Sequence, residues 1–126
     1  MIIIDYHDKR PIYEQIIDRF QTLILNGVLE PNSQIPSVRA LAIELSINAN
    51  TIQKAYSELE RTGYIYSIKG RGNFVRADES LLLKHKEKAK QELCMQLKQC
   101  KDIGISQEEL LDCIHSIFME VNVKYD

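Results

Sequence analysis

Between residues 37 and 72 the chain gathers side chains suited to one task, pairing with base edges while holding phosphates. Asn48, Asn50, Thr51 and Gln53 stand close together at the start of a stretch with helical periodicity. Asn and Gln carry a donor and an acceptor on one amide, so each can pair in bidentate fashion with adenine. The N-terminus of a helix adds unpaired N–H groups and partial positive charge, both attractive to phosphate. Arg39 and Lys54 are candidates for anchoring phosphates, and Arg71 is a candidate to enter an adjacent minor groove. Any one of these cations alone reads best as a solvated surface charge. Their joint placement favours nucleic acid.

The elements that must hold these residues are legible in the spacing. Ile12, Ile16, Phe20 and Leu23, widened by Ile17 and Ile24, make an apolar helix stripe that Pro11 opens at its first position and Gly27 stops. Val28 to Ile35, with Pro31, Asn32 and Ser33, reads as a connecting turn. Ser37 caps a short second helix whose apolar face is Val38, Leu41, Ala42 and Leu45. Asn48 caps a third, with Ile52, Ala55, Tyr56 and Leu59 inward and Ala49, Asn50, Gln53, Lys54 and Ser57 outward. Two runs of strand character, Tyr64–Ile68 and Asn73–Val75, flank Lys69-Gly70-Arg71-Gly72, a turn with a basic tip. Helix, short helix, helix and β-hairpin in this order make a winged helix-turn-helix.

Residues 78–126 have another character. Asp78 to Asp102 lacks proline and glycine and carries a ragged apolar seam of Leu82, Ala89, Leu93, Leu97 and Cys100. Gly104 breaks it. Ser106 and Glu109 have the reciprocal capping spacing, with Ile105 and Leu110 placed for a hydrophobic staple. Leu110, Ile114, Ile117 and Val121 follow at helical steps, with Leu111 and Phe118 beside them. Two helices cannot enclose a ligand pocket of ~300–1,000 Å³ by themselves. An apolar stripe without an intrachain partner suits a second copy, so Leu82, Ala89, Leu93, Leu97, Leu110, Ile114, Ile117, Phe118 and Val121 are the expected dimerisation residues. The expected organisation is a winged helix-turn-helix over 1–77 and a two-helix dimerisation tail over 78–126, mostly α with one small β-hairpin.

Composition agrees. The 126 residues are 44% hydrophobic and 27% charged, which excludes collagen-like, low-complexity and wholly disordered chains. The apolar runs are far shorter than the ~18 residues a membrane span needs, and the start MIIIDYHDKRP lacks the pattern of a secretory signal. The expected compartment is the cytoplasm. The net charge of −2 hides an asymmetry: residues 39–76 hold six Lys/Arg against three Asp/Glu, and Ser67 to Arg76 has three cations and no acid. Screening confines each charge to roughly 8 Å, so local potential decides. Cys94, Cys100 and Cys113 have no C-x-x-C spacing and read as reduced, buried thiols. No cofactor or metal site is expected, His7, His85 and His115 being far apart. Ile2 to Ile4 read as a strand or packing arm, and the lysines around His85 as a solvated helix face.

Five pieces resemble, in order and at consistent spacing, the DNA-binding domain of the GntR family of bacterial transcription regulators. They are G-V-L-E-P (Gly27–Pro31), I-P-S-V-R-A-L-A (Ile35–Ala42), N-T-I-Q-K-A-Y-S-E-L-E (Asn50–Glu60), Gly63, and G-R-G-N-F-V (Gly70–Val75). The I-N-A-N-T-I-Q-K-A-Y stretch and the short tail are most similar to the YtrA-type branch. Asn32 stands where the family usually has glycine, and Ala49 where this branch often has proline; Asn tolerates positive φ, so the turn survives. The resemblance implies DNA contacts from Ser37, Arg39, Asn48, Asn50, Thr51, Gln53, Lys54 and Tyr56, and from Lys69, Gly70, Arg71 and Gly72 in the wing. For Tyr56 the helical periodicity instead buries the ring. The resemblance further implies a homodimeric repressor on a palindromic operator of double-stranded DNA, often beside a transporter operon.

An enzyme is not expected, since nucleophile elbow, phosphate loop and paired-carboxylate motifs are all missing. Two alternatives stand beside the operator-binding regulator. One is a winged helix that binds protein and no DNA, which would have no use for a basic wing beside an Asn/Thr/Gln/Lys face. The other is a regulator holding a small effector at its dimer interface.

Overall fold

The computed structural model describes residues 2–76 and 78–124, with side chains described through residue 120. Their element order is α1 (Ile12–Leu25), α2 (Val38–Leu45), α3 (Ala49–Arg61), β1 (Ile65–Ile68), β2 (Gly72–Val75), α4 (Glu79–Asp102) and α5 (Gln107–Lys124). The chain divides into two compact units, Met1–Leu82 and Leu83–Asp126, so the first turn of α4 belongs with the first unit.

In the first unit the inward stripes of α1, α2 and α3 meet as their spacing predicts. Ile16, Phe20, Leu41, Ile52, Leu59, Ile65 and Val75 are fully buried, each contributing roughly 1.5–3 kcal/mol relative to an exposed side chain. The Phe20 and Tyr56 rings meet edge to face, centroids 5.5 Å apart. Ser37 Oγ accepts from Ala40 N at 3.0 Å, and Asn48 Oδ1 accepts from Asn50 N at 2.8 Å, so both expected caps form. The turn between α2 and α3 passes through Ser46 in the left-handed region (φ 55°).

β1 and β2 pair antiparallel with Ile65 opposite Val75 and Ser67 opposite Asn73. Period-two alternation sends Ile65 and Val75 into the core and leaves Tyr66 stacked on Phe74 on the other face, 5.6 Å between centroids.

Two local features differ from the spacing-based reading. Pro11 sits one place before α1, with ψ 150°, and its carbonyl accepts from Glu14 N and Gln15 N. Ser33 to Ile35 is a paired segment, not a simple turn. Val75 N donates to Ser33 O at 2.9 Å and Ile35 N to Asn73 O at 3.0 Å, which adds a short third rung to the hairpin. Asn32 adopts φ 64° just ahead of it. At the N-terminus Ile2 and Ile4 pack on the core as an arm, while Ile3 points outward. Gln15, buried on α1, fastens that arm: its Oε1 accepts from Asp5 N and its Nε2 donates to Asp5 O.

The second unit is the rest of α4 with α5. Ser106 Oγ accepts from Glu109 N at 3.1 Å and Glu109 Oε2 accepts from Ser106 N at 3.3 Å, the reciprocal box that the spacing predicts. Ala89, Leu93, Ile114, Ile117 and Phe118 are exposed, whereas Leu97 and Leu110 are partly covered; Leu82, also partly covered, closes the first unit. The Val121 side chain lies outside the described residues. Cys94 and Cys113 are exposed and Cys100 partly so, contrary to the buried positions expected of small apolar thiols, because a two-helix layer has no interior to put them in. Among the described residues no helix is long and apolar enough to cross a membrane.

Candidate nucleic-acid interface

The caps that start α2 and α3 also set out the polar face. Ser37, at the N-cap of α2, keeps its hydroxyl hydrogen free of the helix because its oxygen is the acceptor. Arg39 follows two residues later and is exposed. At the start of α3, Asn48, Asn50 and Gln53 are exposed and Thr51 is half-buried. No acid stands in the first turn of α3, so the positive end of its dipole is left for an external anion.

Gln53 begins an open groove between α3 and the hairpin, about 550 Å³ in volume, lined further by Tyr56, Ser57, Glu60, Arg61, Ser67 and Asn73. Gln53 Nε2 donates to Ser57 Oγ at 3.1 Å, and Ser67 Oγ donates to the Glu60 carboxylate at 3.2 Å across the groove. Arg61 is paired with Glu58, which holds that carboxyl below its ordinary range. Ser67 and Asn73 are absent from the sequence-based set. The signal that finds them is strand alternation: with Ile65 and Val75 inward, the residues two positions nearer the turn on each strand share their face.

The wing tip is built by a turn in which Arg71 N donates to Ile68 O at 2.9 Å, with Gly70 at φ +81°. Lys69 and Arg71 are exposed, and neither they nor Arg39 form an ion pair among the described residues. Their charge is therefore available to a polyanion.

Two members of the sequence-based set are turned to other work. Tyr56 is 2% exposed, and its hydroxyl donates to Pro36 O at 2.7 Å. Burial first, and then the charge of Glu44, push its phenol well above the ordinary 10.0. It ties α3 to the residue ahead of the Ser37 cap, the burial that helical periodicity predicts. Lys54 lies with Nζ 3.8 Å from the centre of the Tyr13 ring on α1, a cation–π contact outside the groove. Among the described residues no three His, Cys, Asp or Glu side chains converge as metal ligands would.

Comparison with known proteins agrees with this geometry. The family described as bacterial regulatory proteins, gntR family, matches residues 12–75. The HTH-type transcriptional repressor YtrA of Bacillus subtilis is 37% identical over 96% of this chain and 95% of its own. A GntR family transcriptional regulator from Listeria monocytogenes superposes with a TM-score of 0.75 at 33% identity, over 90% of this chain and 98% of its own. The DNA-binding domain of AraR, crystallised in complex with operator ORE1, matches 60% of this chain and 92% of its own, with a TM-score of 0.51 at 28% identity. With its winged helix, its unpaired cations and these relatives, the chain belongs to the GntR family and is a DNA-binding transcription regulator, not an enzyme.

Proposed function

We propose that this protein represses transcription as a homodimer bound to an inverted-repeat operator. The observation that carries the proposal is the acid-free first turn of α3, where exposed Asn48, Asn50 and Gln53 surround the positive end of the helix dipole. In this reading Asn50 and Gln53 pair with base edges in the major groove, joined by Thr51 where its half-exposed hydroxyl reaches. Ser37, Arg39 and Asn48 hold the phosphates beside them. The tip Lys69-Gly70-Arg71-Gly72 meets the adjacent minor groove or backbone. Lys54, drawn to Tyr13, adds positive potential and turns to a phosphate on binding. Tyr56 positions α3 and does not itself contact DNA.

A similar protein named as a repressor supports the direction of regulation, and the AraR complex supports an operator as the ligand. Support for the dimer comes from α4 and α5, on which Leu93, Ile114, Ile117 and Phe118 are exposed among the described residues. Two-fold symmetry then requires half-sites about one helical turn apart, ~34–36 Å.

Selection of bound sequences from a random double-stranded pool at about 150 mM salt, where nonspecific attraction is weak, tests this directly. The expected result is a single inverted repeat, with two chains per duplex. Enrichment of a lone half-site, or of nothing by a folded protein, overturns it.

A further inference from the structure

Gln34 lies in a stretch whose composition suggests only a connecting turn, yet its side chain makes a hydrogen bond to a residue 37 positions away. Its Nε2 donates to the Arg71 carbonyl at 2.8 Å. The pairing of Ser33–Ile35 with β2 explains how it gets there. Gln34 stands opposite Phe74, and Gly72, two residues from Phe74, comes next on the same face. A Cβ on Gly72 would stand 2.9 Å from Gln34 Nε2, so any other residue there would push the flexible amide out of this position. The φ of Gly72, +117°, independently favours glycine.

Arg71 sits between two glycines, in a tip where its N–H donates to Ile68 O and Gly72 stands opposite Ile68 at the end of the ladder. Glycine on both sides leaves the intervening peptide unusually free to rotate. A tip that must be ordered on each encounter with DNA binds more weakly than one ordered beforehand. Gln34 supplies the order from outside the hairpin. It is exposed and adds little to the core, so the wing's presentation depends on it more than the fold does.

We propose that Gln34 is a positioning residue for DNA binding, fixing the peptide that carries Arg71 and so the place where its guanidinium meets the double helix. This rests on the reading in which the wing touches DNA. The lock is built from two partners, a side-chain donor at 34 and the missing Cβ at 72.

A double-mutant cycle on a duplex carrying the selected repeat separates the lock from the reading beneath it. Arg71→Ala weakens binding roughly ten-fold, the loss of one groove or phosphate contact. Gln34→Ala weakens it about five-fold, the usual size for one neutral hydrogen bond, with the thermal midpoint nearly unchanged. Gln34→Ala combined with Arg71→Ala binds like Arg71→Ala alone, whereas the losses from Gln34→Ala and Asn50→Ala multiply. Amide exchange at Arg71 and Gly72 quickens in Gln34→Ala, and nowhere in α1 to α3. Full affinity of Gln34→Ala, or losses that multiply with Arg71→Ala, overturns the lock and leaves the wing contact standing. An Arg71→Ala variant that binds normally removes the wing contact itself and the lock with it, whatever happens at Gln34.

Discussion

The Tyr56 hydroxyl donates to the Pro36 carbonyl at 2.7 Å, joining the middle of α3 to the residue just ahead of the Ser37 cap. One bond thus sets the two helix starts that bear Arg39 and Asn50 in a fixed relation, and it does so from inside the core. Tyr56→Phe keeps the ring against Phe20 and removes only the donor. Stability falls by about 1 kcal/mol in urea unfolding, and affinity for DNA falls a few-fold because both helix starts loosen.

The same phenol gives the pH dependence a sign. Its folded-state pKa is raised, chiefly by burial, so its contribution is whole below the unfolded value of about 10 and is lost as pH rises through the folded value. Above about pH 10 the native protein loses stability as the pH rises, approaching 1.4 kcal/mol per pH unit for each such group. Tyr64, pushed up by burial in the same way, acts alongside. Tyr56→Phe makes the alkaline slope shallower without abolishing it; an unchanged slope shows that the phenol ionises equally in both states.

Arg39 is exposed and unpaired among the described residues, so its charge can change without disturbing the fold. Arg39→Gln weakens binding uniformly across sequences and lowers the salt slope by about 1, as expected for one lost phosphate contact. Arg39→Glu abolishes binding at about 150 mM salt with an unaltered circular dichroism spectrum. Titrations at three salt concentrations measure both.

The tail carries its own test. Ile117 and Phe118 are 58% and 70% exposed in the single chain. Ile117→Asp with Phe118→Asp leaves α5 helical, places charge in the proposed interface, and yields monomers by sedimentation. Operator affinity then drops by two orders of magnitude or more, since a lone half-site loses the gain from linked binding, roughly 10²–10⁴.

Much of this architecture is legible in the residues because it rests on local signals. Helical periodicity in Ile16, Phe20, Ile52 and Leu59, the caps Ser37 and Asn48, and the Ser106–Glu109 box each need only a few neighbouring positions. The third rung at Ser33–Ile35 is illegible for the opposite reason. It is three residues long, lies beside Pro31 and Asn32, and exists only because β2 lies next to it. Gln15 likewise looks like a polar face residue until the N-terminal arm folds over it. At the interface, spacing gives the direction in which Lys54 leaves α3 but not where its flexible stem ends. Tyr13, on another helix, decides that. Cys94 and Cys113 show how composition misleads: thiols favour interiors, and a two-helix unit has none to offer.

The central claim is that the N-terminal turn of α3 reads base edges, and Asn50 tests it most directly. Its side chain is exposed, and its backbone N–H already serves the Asn48 cap, so Asn50→Ala alters the reading face and leaves the helix start intact. Bound sequences selected from one random duplex pool by the native protein and by Asn50→Ala are to be compared. The account predicts one inverted repeat for the native protein, and for Asn50→Ala the same repeat with a single base pair in each half-site turned degenerate. Identical motifs for the two proteins, or uniform weakening with unchanged sequence preference, would contradict it.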